Sequence, residues 1–234
     1  MSSLPIGIFL TFFVFLFSMG LDTIGTYFNL HSVLIVGGGT IGILFFATPQ
    51  AVLKNLFYEL KTLGAKPLTM QDTKSEIEAL TKNKEATFTS KDDLVSYAQL
   101  LWSQGVAQDL FVVLISQKKK EIEQRSVDAI QALKNLAKYP PSLGMAGTVM
   151  GIVTLFQALD GAKDKIGPGL AMAMTATFFG LIIANAIIMP ISDRLQVKHM
   201  ASTRYLQSIY QILLLINQDE AAELINEEVE LRAS

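Results

Sequence analysis

YPPSLGMAGTVMGIVTLFQAL, residues Tyr139 to Leu159, and IGPGLAMAMTATFFGLIIANAIIMPIS, residues Ile166 to Ser192, hold no Asp, Glu, Lys or Arg. Each is long enough to cross a hydrocarbon layer of roughly 30 Å as a helix, which takes about 20 apolar residues. Neither is a uniform coat of large aliphatic side chains. On a helical period, Gly144, Gly147, Thr148 and Gly151 share one face of the first run, and Ala173, Thr177, Gly180 and Ala184 share one face of the second. Lipid gives no reward for burying a small residue, so such a stripe predicts close helix packing, and a hydroxyl inside it can bond a neighbour or face a polar pathway. Each run also has a proline at one end, Pro141 and Pro190. Proline frees a backbone carbonyl and makes a bend point.

Two further uncharged stretches open the chain. Leu4 to Leu21 has no charge, and between Thr23 and Leu53 the one residue able to carry a charge near neutral pH is His31. Spans are expected at about residues 4–21 and 31–49. No basic segment precedes the first run and no A-x-A-like site follows it, so it reads as a span and not as a cleaved signal peptide. The expectation is an all-α membrane protein with four spans and long cytoplasmic helical extensions. It divides into a first helix pair (1–53), a cytoplasmic helical insertion (54–138), a second, channel-lining pair (139–192) and a cytoplasmic C-terminal helix (193–234).

Charge placement sets the orientation. Of 19 Lys and Arg residues, 17 lie between Lys54 and Lys138 or after Ser192, and only Lys163 and Lys165 lie in a short connection. Positive residues stay in the cytoplasm, so both termini and the insertion are expected there. A mean hydropathy of +0.39 agrees with a membrane protein. The net charge of −2 mixes both signs and gives no nucleic-acid signature, and the absence of cysteine rules out disulfides and thiolate metal sites.

The insertion carries 24 of the 40 formal charges. Ala51 to Leu63 is expected to continue helically from the second span and stop at Gly64, with Pro67 beyond. Asp72 to Lys84 reads as a polar helix, and Ser90 with Asp93 as a cap opening a third helix. From Gln108 to Lys138 nothing breaks a helix, which could run straight into the span at Tyr139. Leu195, Leu206, Ile209, Leu213 and Ile216 form the apolar face of a C-terminal helix expected to pack on residues 108–138. The acidic end, Glu220, Glu223, Glu227, Glu228 and Glu230, reads as a solvated face, and Lys118 to Lys120 as surface or partner contacts.

Enzyme chemistry finds no footing. Gly37-Gly38-Gly39-Thr40-Ile41-Gly42 lacks the Lys-Ser/Thr of a phosphate loop and lies within an apolar run, and His31 and His199 have no ligand cluster beside them. No metal site or cofactor is expected. A protein that moves ions by binding and release within the bilayer needs an ionisable group at that depth, and none of the four spans has an Asp, Glu, Lys or Arg in its core. If an ion path forms, Thr148 and Thr177 line it and the carboxylate comes from another polypeptide.

The run from Pro141 to Gly151 (PSLGMAGTVMG), with Gly167-Pro168-Gly169-Leu170-Ala171, Thr175-Ala176-Thr177-Phe178-Phe179-Gly180 and Pro190-Ile191-Ser192-Asp193-Arg194-Leu195, resembles the MotA/PomA family of flagellar motor stator A subunits. Ser32 to Gly39 followed by Pro49 resembles that family's second span, and the four-span topology with one cytoplasmic insertion matches over the whole chain, the third and fourth spans being the specific part and the cytoplasmic region not. The resemblance implies a homopentameric ring in the bacterial inner membrane, surrounding two copies of a single-span, MotB/PomB-like B subunit whose aspartate carries the ion. Ion flow would turn the ring against a rotor protein of the flagellar switch complex. It further implies that Thr148 and Thr177 line the ion path and that Pro141 and Pro190 couple the inner helices to the cytoplasmic region. The transported ion would be H+ or Na+. Family frequency favours the proton, while Ala176-Thr177, where many members have two threonines, leaves the choice open. The family's rotor helix carries an Arg and a Glu, but the comparable helix here reads LLWSQGVAQD, without Arg. The charges nearest to it, Lys91, Asp92, Asp93 and Asp109, are the candidate rotor contacts. Two other functions fit the same pattern: a TolQ/ExbB-like energiser of another envelope machine, for which three spans are expected, and a non-conducting membrane scaffold.

Overall fold

The computed structural model describes residues 3–19, 28–65, 68–83, 90–159, 166–218, 229 and 231. The turn at Asp22, Pro67, Lys84, the 160–165 connection with its two lysines and the acidic residues Glu220, Glu223, Glu227, Glu228 and Glu230 lie outside the described residues. All regular structure among the described residues is helical: α1 (Ser3–Met19), α2 (Leu30–Ala47), α3 (Gln50–Lys61), α4 (Met70–Lys82), α5 (Asp93–Ser103), α6 (Gln108–Leu136), α7 (Tyr139–Leu159), α8 (Ile166–Ile182) and α9 (Met189–Asn217). Among the described residues, three stretches are long and apolar enough to cross a membrane: α2, a part of the run Gln108–Ala158, and a part of the run Ile166–Asn217. α1 contributes 17 uncharged residues.

The chain forms two compact units. One comprises Met1–Gly64 with Asp128–Leu195, the other Ala65–Val127 with Gln196–Ser234, and the boundary falls inside α6 and α9. In the first unit, α7 and α8 pack antiparallel, and α2 lies against both. Asn29 opens α2, its side chain accepting from the backbone N–H groups of His31 and Ser32. A π-helical turn at Leu34–Gly38 leads into the glycine run. Ser32, Val36 and Thr40 form the buried side of α2, four residues apart.

Three expectations about helix ends change. α2 does not run on into α3: Thr48 is extended at φ −115° and ψ 123°, because the ring of Pro49 disfavours helical geometry in the residue before it. α6 stops at Leu136, with Ala137 and Lys138 in a turn before α7. Pro140 and Pro141 supply no N–H to the carbonyls of Leu136 and Ala137, so the helix cannot pass through unbroken. α5 is capped by Asp92, not by Ser90 with Asp93. The Asp92 carboxylate accepts from the N–H of Leu94 at 2.8 Å and of Val95 at 2.9 Å, while the Ser90 hydroxyl accepts from the Asp92 N–H at 3.0 Å.

The second unit has an ordinary hydrophobic core. Met70, Ile77 and Leu80 of α4, which the charge pattern reads as merely polar, pack with Leu94, Leu101 and Trp102 of α5, Phe111 and Ile115 of α6, and Leu206, Ile209, Leu213 and Ile216 of α9. Leu195 belongs to a separate core in the first unit, with Leu56, Leu133 and Ile188. Each large side chain fully buried in this way contributes about 1.5–3 kcal/mol. The stretch LLWSQGVAQD is no helix of its own. It is the corner between α5 and α6, turned by Gly105 at φ +65°, where the N–H groups of Gly105 and Val106 return to the carbonyls of Trp102 and Leu101.

Candidate ion-path site

α7 and α8 approach closely enough that a methyl group would not fit at several positions. A Cβ on Gly147 would lie 2.5 Å from the Ala176 Cβ, one on Gly151 would lie 2.6 Å from the Ala173 nitrogen, and one on Gly180 would lie 2.5 Å from the Pro140 carbonyl oxygen. At Gly144 the nearest atom would be the Ala176 carbonyl oxygen at 2.8 Å. Ala173 and Ala184 are buried, at 4% and 2% exposure. Small residues on both helices therefore bring the two backbones together, and the hydroxyls between them bond across.

Thr148 and Thr177 meet at this interface. Their hydroxyl oxygens are 2.6 Å apart, and the Thr148 hydroxyl also lies 3.0 Å from the Ala173 carbonyl and 3.1 Å from that of Gly144. Both residues are half-buried. Two protons serve this cluster. With Thr148 donating to a carbonyl and Thr177 donating to Thr148, oxygen lone pairs remain to accept a proton or to ligate a cation. No residue from Tyr139 to Leu159 or from Ile166 to Ser192 carries a charge, so the cluster can supply oxygen ligands but cannot neutralise an ion.

Pro141 lies half-buried in the first turn of α7, and Pro190 is exposed at the start of α9. Directly before Pro190 the chain makes a π-helical turn, Ile183–Ile188, in which the Met189 N–H reaches the Ala184 carbonyl. Proline cannot bond the carbonyl four residues back and its ring crowds that oxygen, so a widened turn at this place has a local cause.

Lys91, Asp92, Asp93 and Asp109 belong to the other unit. Lys91, Asp93 and Asp109 are exposed, and Asp93 faces the Arg125 guanidinium at 3.8 Å. Asp92 is only 4% exposed, and its carboxylate is taken up in capping α5. Arg125 and Lys118 hold the carboxyl of Glu121 below the usual glutamate range through hydrogen bonds from both side chains. In the same unit, burial pushes the Tyr205 phenol far above its ordinary value, and the nearby Asp92 carboxylate adds to the shift.

A second hydroxyl pair joins two residues that stand in the quoted motifs but receive no role from the sequence. Ser32 of α2 and Thr175 of α8 lie 2.8 Å apart, at 0% and 6% exposure. The signal was faint: Ser32 begins the series Ser32, Val36, Thr40, whose buried character shows only once α7 and α8 are seen beside it.

Residues 76–208 match the MotA/TolQ/ExbB proton channel family. Motility protein A of Treponema phagedenis is 24% identical over 210 residues, covering 85% of this chain and 80% of that protein. Chemotaxis protein PomA of Vibrio alginolyticus is 24% identical over 218 residues, covering 87% and 83%. The solved structure of C. jejuni MotAB superposes with a TM-score of 0.81 at 16% identity, over 99% of this chain and 95% of that one. The flagellar MotAB stator complex from Bacillus subtilis gives a TM-score of 0.78 at 21% identity, over 97% and 94%. At such identities these two structures establish the fold. The family match takes in more than half of the chain, from α4 through the glycine-lined α7–α8 interface and into α9, and by it this chain belongs to the MotA/TolQ/ExbB proton channel family.

Proposed function

We propose that the chain is the A subunit of an ion-driven flagellar stator. One observation carries the reading. The Thr148–Thr177 pair offers oxygens in the close α7–α8 interface, while the charge-free runs around it leave the ionisable group to a second polypeptide. The curated relatives include Motility protein A and PomA proteins, and the structural likeness to MotAB spans nearly the whole chain.

In this reading α1 is the first of four spans, both termini are cytoplasmic, and the protein sits in the bacterial inner membrane. Five copies form a ring around two single-span B subunits, each bringing an aspartate to the level of Thr148 and Thr177. A proton or sodium ion passes from that carboxylate along the threonine oxygens. Pro141 and Pro190 couple movement of α7 and α8 to the cytoplasmic helices, and Lys91, Asp93 and Asp109 remain as charged surface for a rotor protein. The close fit of the full chain to MotAB favours this over a TolQ/ExbB-like energiser.

The test is complementation. A motile bacterium lacking its own stator should swim when given this chain with a single-span partner bearing an aspartate and a peptidoglycan-binding domain, and should stop when that aspartate becomes asparagine. Assembly at normal levels with no ion-dependent rotation would leave the scaffold reading in its place.

A further inference from the structure

Thr175 and Thr177 are two residues apart on α8. At about 100° per residue they point to opposite sides of the helix. The Thr177 side meets α7, where Thr148 reaches both the Thr177 hydroxyl and the Ala173 carbonyl. The Thr175 side meets α2. There the Ser32 hydroxyl lies 2.8 Å from the Thr175 hydroxyl and 3.0 Å from the Met172 carbonyl, and Thr175 donates to the Ala171 carbonyl at 2.7 Å. Ala176, wholly buried between the two sides, lies against Gly144 and Gly147. α8 is thus gripped by hydroxyls from two helices, in addition to the close glycine packing against α7.

The two grips differ in kind. The Thr148–Thr177 pair is half-buried and has lone pairs to offer. The Ser32–Thr175 pair is sealed off, and its oxygens are engaged with each other and with the carbonyls of α8. With oxygens only 2.8 Å apart and hydrogen-bonded, no metal ion fits between them. Ser32 is itself held in place, since Asn29 accepts from its backbone N–H. A serine hydroxyl on a pinned turn is a fixed reference against which a neighbouring helix can be set.

We infer that Ser32 and Thr175 form a clasp that sets the rotation of α8 about its axis and thereby aims the Thr177 hydroxyl. Thr175 is a positioning residue of the ion path and not one of its ligands. This rests on the stator reading for its functional consequence, but not for its geometry.

The experiment has two arms, both on the full chain with its B partner. In the first, swimming or bead rotation is measured against the concentration of the driving ion for Ser32→Ala, Thr175→Val, the double variant and Thr175→Ser, with membrane levels and B-subunit retention checked. Ser32→Ala and Thr175→Val should each raise the half-saturating ion concentration about fivefold, the equivalent of one net hydrogen bond. The double variant should be no worse than the worse single, because the two act as one unit. Thr175→Ser should match the parent. The second arm is independent of motility and uses the absence of native cysteine. Met174→Cys, at a position 69% exposed in the chain by itself and so open to lipid, reports the rotation of α8 through its labelling rate by a small membrane-permeant maleimide. Ser32→Ala and Thr175→Val should each change that rate severalfold. If the parent restores no rotation but labelling shifts, the clasp stands and the stator reading falls. Unchanged labelling in both variants overturns the clasp, as does a Thr175→Ser as damaged as Thr175→Val. Complete loss of rotation in Thr175→Val with unchanged labelling would make Thr175 an ion ligand instead.

Discussion

Thr148 has one hydroxyl proton and three oxygens within reach, those of Gly144, Ala173 and Thr177. Replacing Thr148 by valine keeps the shape and takes away the acceptor of the Thr177 hydroxyl, at a cost of about 1–3 kcal/mol, whereas Thr177→Val leaves Thr148 its two carbonyl acceptors. Removing both leaves no orphan hydroxyl. Thermal unfolding in detergent should therefore show Thr148→Val less stable than the parent, with Thr177→Val and the double variant closer to it. Rotation should behave in the opposite order, with Thr148→Val and Thr177→Val each cutting output at least tenfold and the double abolishing it. Normal rotation in the double variant would remove both residues from the path. The response of stability separates the packing role of these hydroxyls from their service to the ion.

At the scale of the helices, glycine does different work at different places. Gly151→Ala drives a methyl group to 2.6 Å from the Ala173 backbone nitrogen, which cannot move without shifting α8. Overpacking of this kind costs about 1–3 kcal/mol. It should lower the unfolding temperature of the purified protein and reduce retention of the B subunit. Gly42→Ala on α2 meets nothing within 4 Å and should be neutral or slightly stabilising, since alanine favours a helix by up to about 1 kcal/mol over glycine. The turn before Pro190 gives the second test at this scale. Pro190→Ala restores the N–H that the Ala186 carbonyl lacks, so the widened turn at Ile183–Ile188 can close to ordinary helix. The expected outcome is normal assembly with reduced torque in a bead assay. Full torque would leave the widened turn as a packing feature without a coupling role.

Taken whole, the molecule is held together by two different kinds of physics. The unit made of Ala65–Val127 and Gln196–Ser234 buries large side chains such as Phe111, Leu94 and Ile212, the signature of a water-driven core. The unit with the spans leaves Phe46 94% exposed and Met174, Val149 and Phe156 more than half exposed. That much apolar surface is excessive for a chain alone in water and calls for lipid or for other subunits. Mass determination in mild detergent should give an oligomer containing the single-span partner, and expression without that partner should lower the recovered amount. A well-behaved monomer that needs no partner would overturn the ring. The soluble-type unit should be almost indifferent to its surface pairs. Glu121, mostly exposed between Lys118 and Arg125, stabilises the fold above the ordinary glutamate pKa, and this is lost as pH falls through its lowered value. Screening by solvent keeps the effect small, and Glu121→Gln should shift the unfolding temperature at pH 7 by no more than about a degree or two.

The chain's own letters determined that it is helical, that the runs Tyr139–Leu159 and Ile166–Ser192 are uncharged and long enough to span, and that Gly144, Gly147, Gly151 and Gly180 lie on close-packing faces. Those properties follow from composition and the 3.6-residue period, which act locally. Tertiary structure decided what the period cannot express. It fixed which hydroxyl meets which, so that Thr177 joins Thr148 while Thr175, two residues away, turns to Ser32. It made Asp92 a buried cap where the sequence offered it as a surface charge, because the Leu94 and Val95 N–H groups have no other acceptor at that helix end. It also turned LLWSQGVAQD from a helix into a corner, where Gly105 alone can take the left-handed backbone that brings α6 back toward α5. A hydroxyl or a carboxylate takes its partner from whatever helix is packed beside it, and that neighbour is a property of the fold and not of the local sequence.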